Sequence, residues 1–127
     1  TEKATLFENS ASSIKAILEE STAVVCYNDS LAVELMAFCK QQGISVPGDI
    51  SIVGIDDSNL ARVCEVPLTS VSHPKQQLGE TAATLLLEEM KNPNFKAKDV
   101  LFVPELVERD SSAALPGRVD AHHRRMH

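Results

Sequence analysis

Two rhythms of apolar and polar positions take turns along the chain. In residues 10–20, Ile14, Ile17 and Leu18 recur at helical spacing, with Ser10 or Ser12 available as N-terminal cap, and the spacing predicts a helix. Residues 22–27 form an unbroken run, Thr-Ala-Val-Val-Cys-Tyr, of the kind that fits a strand buried on both faces. The run stops at Asn28-Asp29-Ser30, residues that favour helix N-termini because their side chains satisfy free backbone N–H groups. Leu31, Leu35, Met36 and Cys39 then return at helical spacing until Gly43, a natural helix stop.

Residues 46–49, Val-Pro-Gly-Asp, read as a turn, and residues 50–55 as a second apolar strand halted by Asp56-Asp57-Ser58-Asn59. Residues 66–71 are a third extended piece. The clearest helix covers residues 75–91, with Leu78, Ala82, Leu85 and Leu86 as its apolar stripe, and Asn92-Pro93-Asn94 breaks it. Residues 100–103 are expected to form a strand, and Leu106-Val107 a further short one. Helices alternating with apolar strands predict an α/β fold with a largely parallel sheet flanked by helices.

Composition narrows the field. The chain has 127 residues, enough for one domain, with 43% hydrophobic and 24% charged residues, which is globular. Its net charge is −6, and three of its basic residues, Arg118, Arg124 and Arg125, stand in the last stretch against the single acid Asp120. A body this acidic repels phosphate backbones, and with only 4% aromatic residues it lacks rings on which bases could stack. Cys26, Cys39 and Cys64 are widely spaced among apolar neighbours, which suits buried free thiols in a reducing compartment better than a disulfide or a zinc site. No apolar run reaches the length of a membrane span and no signal peptide opens the chain, so a cytoplasmic location is expected. Residues 113–127, which include His122, His123 and His127, follow neither period and are expected to be a disordered or tag-like tail.

In parallel α/β sheets ligands bind beyond the carboxyl ends of the strands. Two strands here run straight into polar residues, one into Asn28-Asp29 and the other into Asp56-Asp57. An Asn amide both donates and accepts while a carboxylate only accepts, so together they can satisfy neighbouring hydroxyls of a sugar ring. Residues of these types also cap helices and make turns. Asp29 and Asp57 fit that role well, whereas Asn28 and Asp56, first beyond each strand, are the better ligand candidates. No phosphate loop, cofactor motif or nucleophile–base spacing is present, His73 has no catalytic partner in sequence, and adjacent Asp56 and Asp57 could share a metal ion only across a turn. Neither an enzyme, a bound cofactor nor a metal site is therefore expected.

Several strings, in unbroken order over residues 20–112, carry a resemblance. They are residues 23–29 (Ala-Val-Val-Cys-Tyr-Asn-Asp), residues 43–57 from Gly43 to Asp57, residues 67–71 (Pro-Leu-Thr-Ser-Val), Leu78-Gly79 with Ala82-Ala83, and Leu106-Val107 followed by Arg109-Asp110-Ser111. The set resembles the effector-binding domain of lactose-repressor (LacI/GalR) family regulators. Cys26-Tyr27-Asn28-Asp29 and Ser72-His73-Pro74-Lys75 further resemble arabinose repressors.

The resemblance implies a periplasmic-binding-protein-like (type I) sensor, of which residues 1–112 would be the carboxy-terminal part, with residues 75–103 crossing to an amino-terminal lobe. It implies a sugar effector, an L-arabinose-like pentose first, touched by Asn28 and Asp56, with a third contact around His73 and Lys75. Many relatives place an apolar or aromatic residue there, and Lys75 departs from that pattern. It also implies a homodimer built on residues 31–39 and 60–68, so that Leu31, Val33, Leu35, Leu60 and Val63 are interface candidates, although core packing suits Val33, Leu35 and Phe38 as well. DNA would be read by a module this chain does not contain. A transport-type sugar receptor of the same fold is the alternative, and a signal peptide upstream would mark it. The apolar stripe of residues 75–91 must then be buried, either against this chain's own sheet or against a second copy.

Overall fold

The computed structural model describes residues 11–115. Eight elements follow in order: α1 (Ala11–Glu20), β1 (Ala23–Val25), α2 (Asp29–Gln41), β2 (Ser51–Ile55), α3 (Asn59–Val63), β3 (Thr69–Ser72), α4 (Lys75–Lys91) and β4 (Glu105–Val107). The sheet runs β1-β2-β3-β4, with β1, β2 and β3 parallel and β4 antiparallel to β3. The fold is therefore α/β with a mostly parallel sheet, as the alternation predicts. Among the described residues no helix is long and apolar enough to cross a membrane.

Pairing register fixes which side chains meet. Val24 lies beside Ile52, and Gly54 beside Ser70, so one sheet face carries Val24, Ile52, Gly54 and Ser70 in rows. On that face pack Ala32, Leu35 and Cys39 of α2, Ala61 of α3 and Leu68, all within one core cluster that Leu18 of α1 also joins. Ala32, Cys39, Ile52 and Leu68 are fully buried. Burying one such Leu or Ile side chain contributes about 1.5–3 kcal/mol, which makes this cluster the main source of cohesion.

Three expectations need correction. Residues 100–103 form no strand, because no strand lies beside them to complete a ladder, and Leu101 and Val103 stand in solvent. The α4 stripe does not fold back on the sheet: α4 buries no residue, and Leu78, Leu86, Leu87 and Met90 are all exposed. Leu35, offered as an interface residue, points into the core, where the helical period places it one turn from Ala32 and Cys39. The short helix α3 was not foreseen. Five residues with one turn of hydrogen bonding carry too little periodicity to be read.

The chain's final described stretch is stitched to the sheet. Ala113 N donates to Ser51 Oγ at 3.0 Å. Ser10, one of the two cap candidates of α1, and the tail residues Arg118, Asp120, His122, His123, Arg124, Arg125 and His127 lie outside the described residues.

Candidate functional site

β1, β2 and β3 are parallel neighbours, so their carboxyl ends share one edge, and the sequence sets polar residues at each. Asn28 follows β1, Asp56 follows β2, and His73 and Lys75 follow β3. Three of these are drawn together. His73 Nε2 lies 3.4 Å from Asp56 Oδ1, and the Lys75 ammonium donates to the Asp56 backbone carbonyl.

Asn28 stands at the β1 end with its Oδ1 accepting from Leu31 N at 2.9 Å. Asn28, and not Asp29, thus caps α2. With that oxygen engaged, the amide NH₂ is what Asn28 can offer a ligand. The Asp56 side chain is 44% exposed, with a carboxylate free to accept hydroxyl donors, and Lys75 keeps further N–H donors. Neighbouring acceptors and donors on one edge suit a neutral polyol.

Asp56 and Asp57 have φ of 107° and 45°, both in the region L-residues rarely adopt. Such conformations cost on the order of 1–3 kcal/mol each when sparsely populated, and persist only where the surroundings hold them. Every backbone N–H of the turn is held here. Asp56 N donates to Val71 O at 2.9 Å, Asp57 N to Ser70 Oγ at 3.1 Å, and Ser58 N to Asp29 Oδ2 at 2.6 Å.

Asp29 and Asp57 are not the N-caps of the helices that follow them, which are Asn28 and Ser58, and both are engaged within the fold. Asp29 is 2% exposed and takes the Ser70 hydroxyl on Oδ1 at 2.6 Å and Ser58 N on Oδ2. Asp57 Oδ1 accepts from Arg109 Nη2 at 2.6 Å, while Arg109 Nη1 donates to Leu68 O at 2.7 Å. Arg62 stands further off, 3.9 Å from Asp57 Oδ2. Sequence reasoning missed this network. One signal was present: Gly54 is an isolated glycine within a strand, a mark of close backbone approach, and a Cβ there would collide with Asp29 Oδ1.

Of the interface candidates, Leu31 on α2 and Leu60 and Val63 on α3 are exposed. Val33 is half-buried and lines an apolar groove of about 250 Å³ with Met36, Val46 and Cys64, beside the Lys40–Glu65 ion pair at 2.8 Å. Cys26 and Cys39 are buried free thiols and Cys64 is half-buried. Burial, with the nearby Cys39 second, pushes the Cys26 thiol up to about 11. Burial raises Cys39 as well, against a smaller opposing effect of a backbone hydrogen bond.

Polar side chains gathered at the carboxyl ends of a parallel α/β sheet stand where proteins of this class bind ligands. The chain belongs to the periplasmic binding protein-like domain family, which it matches over residues 2–112. Its relatives are LacI-family transcriptional repressors. It is 46% identical over 95 residues to the arabinose metabolism transcriptional repressor of Geobacillus stearothermophilus, covering 74% of this chain and 26% of that protein. It is 38% identical over 112 residues to the ribose operon repressor of Haemophilus influenzae, covering 86% of this chain and 34% of the relative. The chain thus spans about a quarter to a third of the length of these relatives. Its fold is similar to that of a LacI family transcriptional regulator from Enterococcus faecium with bound ribose, at TM-score 0.72 and 32% identity, over 83% of this chain and 40% of the other. It is similar also to the lac repressor dimer bound to operator and the anti-inducer ONPF, at TM-score 0.70 and 29% identity, over 81% of this chain and 37% of the other.

Proposed function

We propose that this chain is the carboxy-terminal part of the effector-sensing domain of a transcriptional repressor, and that it acts as a ligand sensor and not as an enzyme. Residues 75–103 would cross to an amino-terminal lobe, and DNA would be read by a separate module. The effector is a sugar, with an L-arabinose-like pentose first among candidates. Asp56 accepts from its hydroxyls, and Asn28, His73 and Lys75 complete the contact set. Leu31, Val33, Leu60 and Val63 would pair two copies.

The observation that carries this reading is the strained Asp56 turn at the ligand edge, with His73 and Lys75 gathered on it. The arabinose and ribose repressors among the relatives support a pentose. Sugar binding would shift the populations of two lobe arrangements, and so alter operator binding, only if it binds one arrangement better than the other.

The test is a thermal-shift screen of pentoses and hexoses on the chain extended upstream to the length of its relatives, with Asp56→Ala in parallel. A sugar at about 100 times its Kd adds roughly 2.7 kcal/mol, an easily visible shift. L-arabinose is expected to raise Tm in the wild type and not in Asp56→Ala. No shift with any sugar would overturn the sugar reading, and a shift retained in Asp56→Ala would overturn the contact assigned to Asp56.

A further inference from the structure

We propose that Arg109 and Asp29 are positioning residues for the ligand edge, holding Asp56 in its left-handed conformation through Asp57 and Ser58 and thereby setting which hydroxyl arrangement Asp56 can meet. The proposal rests on the reading of Asp56 as an effector contact.

Two consecutive non-glycine residues at positive φ do not persist by local preference, so something outside the turn must hold them. Two anchors close on it from different parts of the chain. From α2, Asp29 uses both carboxylate oxygens, one on Ser58 N just after the turn and one on the Ser70 hydroxyl. Ser70 in turn receives Asp57 N. From beyond β4, Arg109 forks between Asp57 Oδ1 and the Leu68 carbonyl, which fixes the Asp57 side chain against the start of β3. Asp56 is left as the one member of the set whose carboxylate projects to the solvent edge, beside His73.

Charge placement supports two distinct roles for the neighbouring acids. The Asp57 side chain is 9% exposed and neutralised by Arg109, so it is spent internally, whereas the Asp56 side chain is 44% exposed. A half-buried charged fork beside its carboxylate has a better-defined geometry than a flexible surface pair. Arg109 also stands two residues beyond the end of β4, the strand that returns the chain after residues 92–104. A displacement of that strand would therefore reach the effector turn through the Arg109 side chain as well as through β3, whose Val71 carbonyl holds Asp56 N.

The test has two arms. In the first, amide hydrogen exchange is read by NMR on this chain for Asp57 and Ser58, with Cys39 as the core reference, in the wild type, Arg109→Gln, Arg109→Lys and Asp29→Asn. Arg109→Gln is expected to lower protection at Asp57 and Ser58 at least tenfold while Cys39 keeps its own, with Arg109→Lys recovering part of the loss because it restores a cation to Asp57. Asp29→Asn is expected to act most strongly on Ser58, and if it fails to fold, the two Arg109 variants decide alone. Unchanged protection at the turn, or an equal loss at Cys39, would overturn the proposal.

In the second arm, L-arabinose and D-ribose are titrated into the chain extended upstream. Arg109→Gln is expected to weaken L-arabinose binding at least tenfold and to shrink its preference over D-ribose, at a temperature where the variant is folded. Wild-type affinity and preference in Arg109→Gln would overturn the proposal. If the wild type binds neither pentose, the sugar reading fails, and the exchange arm alone decides whether Arg109 and Asp29 hold the turn.

Discussion

Ser111 Oγ, fully buried, donates to the Ile52 carbonyl at 2.6 Å and accepts from Thr69 N at 2.8 Å, so one hydroxyl near the end of the described chain joins β2 to β3. The Ser111 backbone does the same, its carbonyl accepting from Ile52 N at 2.8 Å and its N–H donating to Pro67 O at 3.0 Å. Without the hydroxyl, a buried N–H and a buried carbonyl both lose a partner, and each such loss costs about 1–3 kcal/mol. Ser111→Ala is expected to lower stability by roughly 2 kcal/mol or more, measured by urea unfolding with an unchanged m-value. A loss under about 0.5 kcal/mol would mean that the segment is not anchored here.

Gly54 offers a sharper probe of the Asp29 network. A methyl group at this position would collide with Asp29 Oδ1 and come within 2.8 Å of Leu68 Cδ2. Both are held, Asp29 by two hydrogen bonds and Leu68 by full burial, so neither can give way cheaply. Gly54→Ala is expected to cost about 1–3 kcal/mol, in the range of overpacked cores. Because the displaced carboxylate holds Ser58 N, the Ser58 amide resonance should shift more than that of any core residue of α1.

The layering of the fold was legible because it rests on period and burial. The run at residues 50–55 and the stripe of α2 each announce themselves within a dozen residues, whereas the run at residues 22–27 is a strand only over Ala23–Val25 and is buried on one face, with Val25 and Tyr27 exposed. The place of Asp56 directly beyond β2 was legible too, while Asn28 stands three residues beyond the end of β1, after Cys26 and Tyr27. What sequence did not show lies in pairings across long separations. Asp57 and Arg109 are 52 positions apart, Asp29 and Ser70 are 41 apart, and nothing local distinguishes them from solvent-facing residues of the same types. Residues 100–103 failed for the converse reason. An apolar run is necessary for a buried strand, but a strand also needs a neighbour, and here none stands beside it.

Leu31 and Leu35 lie one helical turn apart on α2 and were both offered as interface residues, yet they face different surroundings. Leu35 is 8% exposed within the core and Leu31 is 41% exposed. Leu35→Ala is expected to destabilise the chain by about 2–5 kcal/mol, because it removes packed methyl groups and leaves a cavity. Leu31→Ala should stay within about 0.5 kcal/mol in the monomer. Sedimentation velocity separates the remaining question. If Leu31, with Leu60 and Val63, pairs two copies, then Leu31→Ala weakens association without changing the unfolding midpoint of the dissociated chain.

The Cys26 thiol gives the fold an alkaline weakness of definite sign. Its value is pushed from 9.0 to about 11, chiefly by burial and secondarily by Cys39. Between these two pH values the unfolded chain has released a proton that the folded chain still binds, so stability falls as pH rises. The contribution is complete below about pH 9 and lost progressively towards pH 11, with a ceiling of about 2.7 kcal/mol for a shift of roughly two pH units. Cys39, raised in the same direction, adds to the trend. Other groups also titrate in this range, so the informative quantity is the difference between wild type and Cys26→Ala. Unfolding free energies of the two, measured from pH 8 to pH 11, are expected to converge as pH rises, because Cys39 is common to both and only the wild type must also deprotonate Cys26. Parallel curves would show that Cys26 ionises as freely in the folded chain as in the unfolded one.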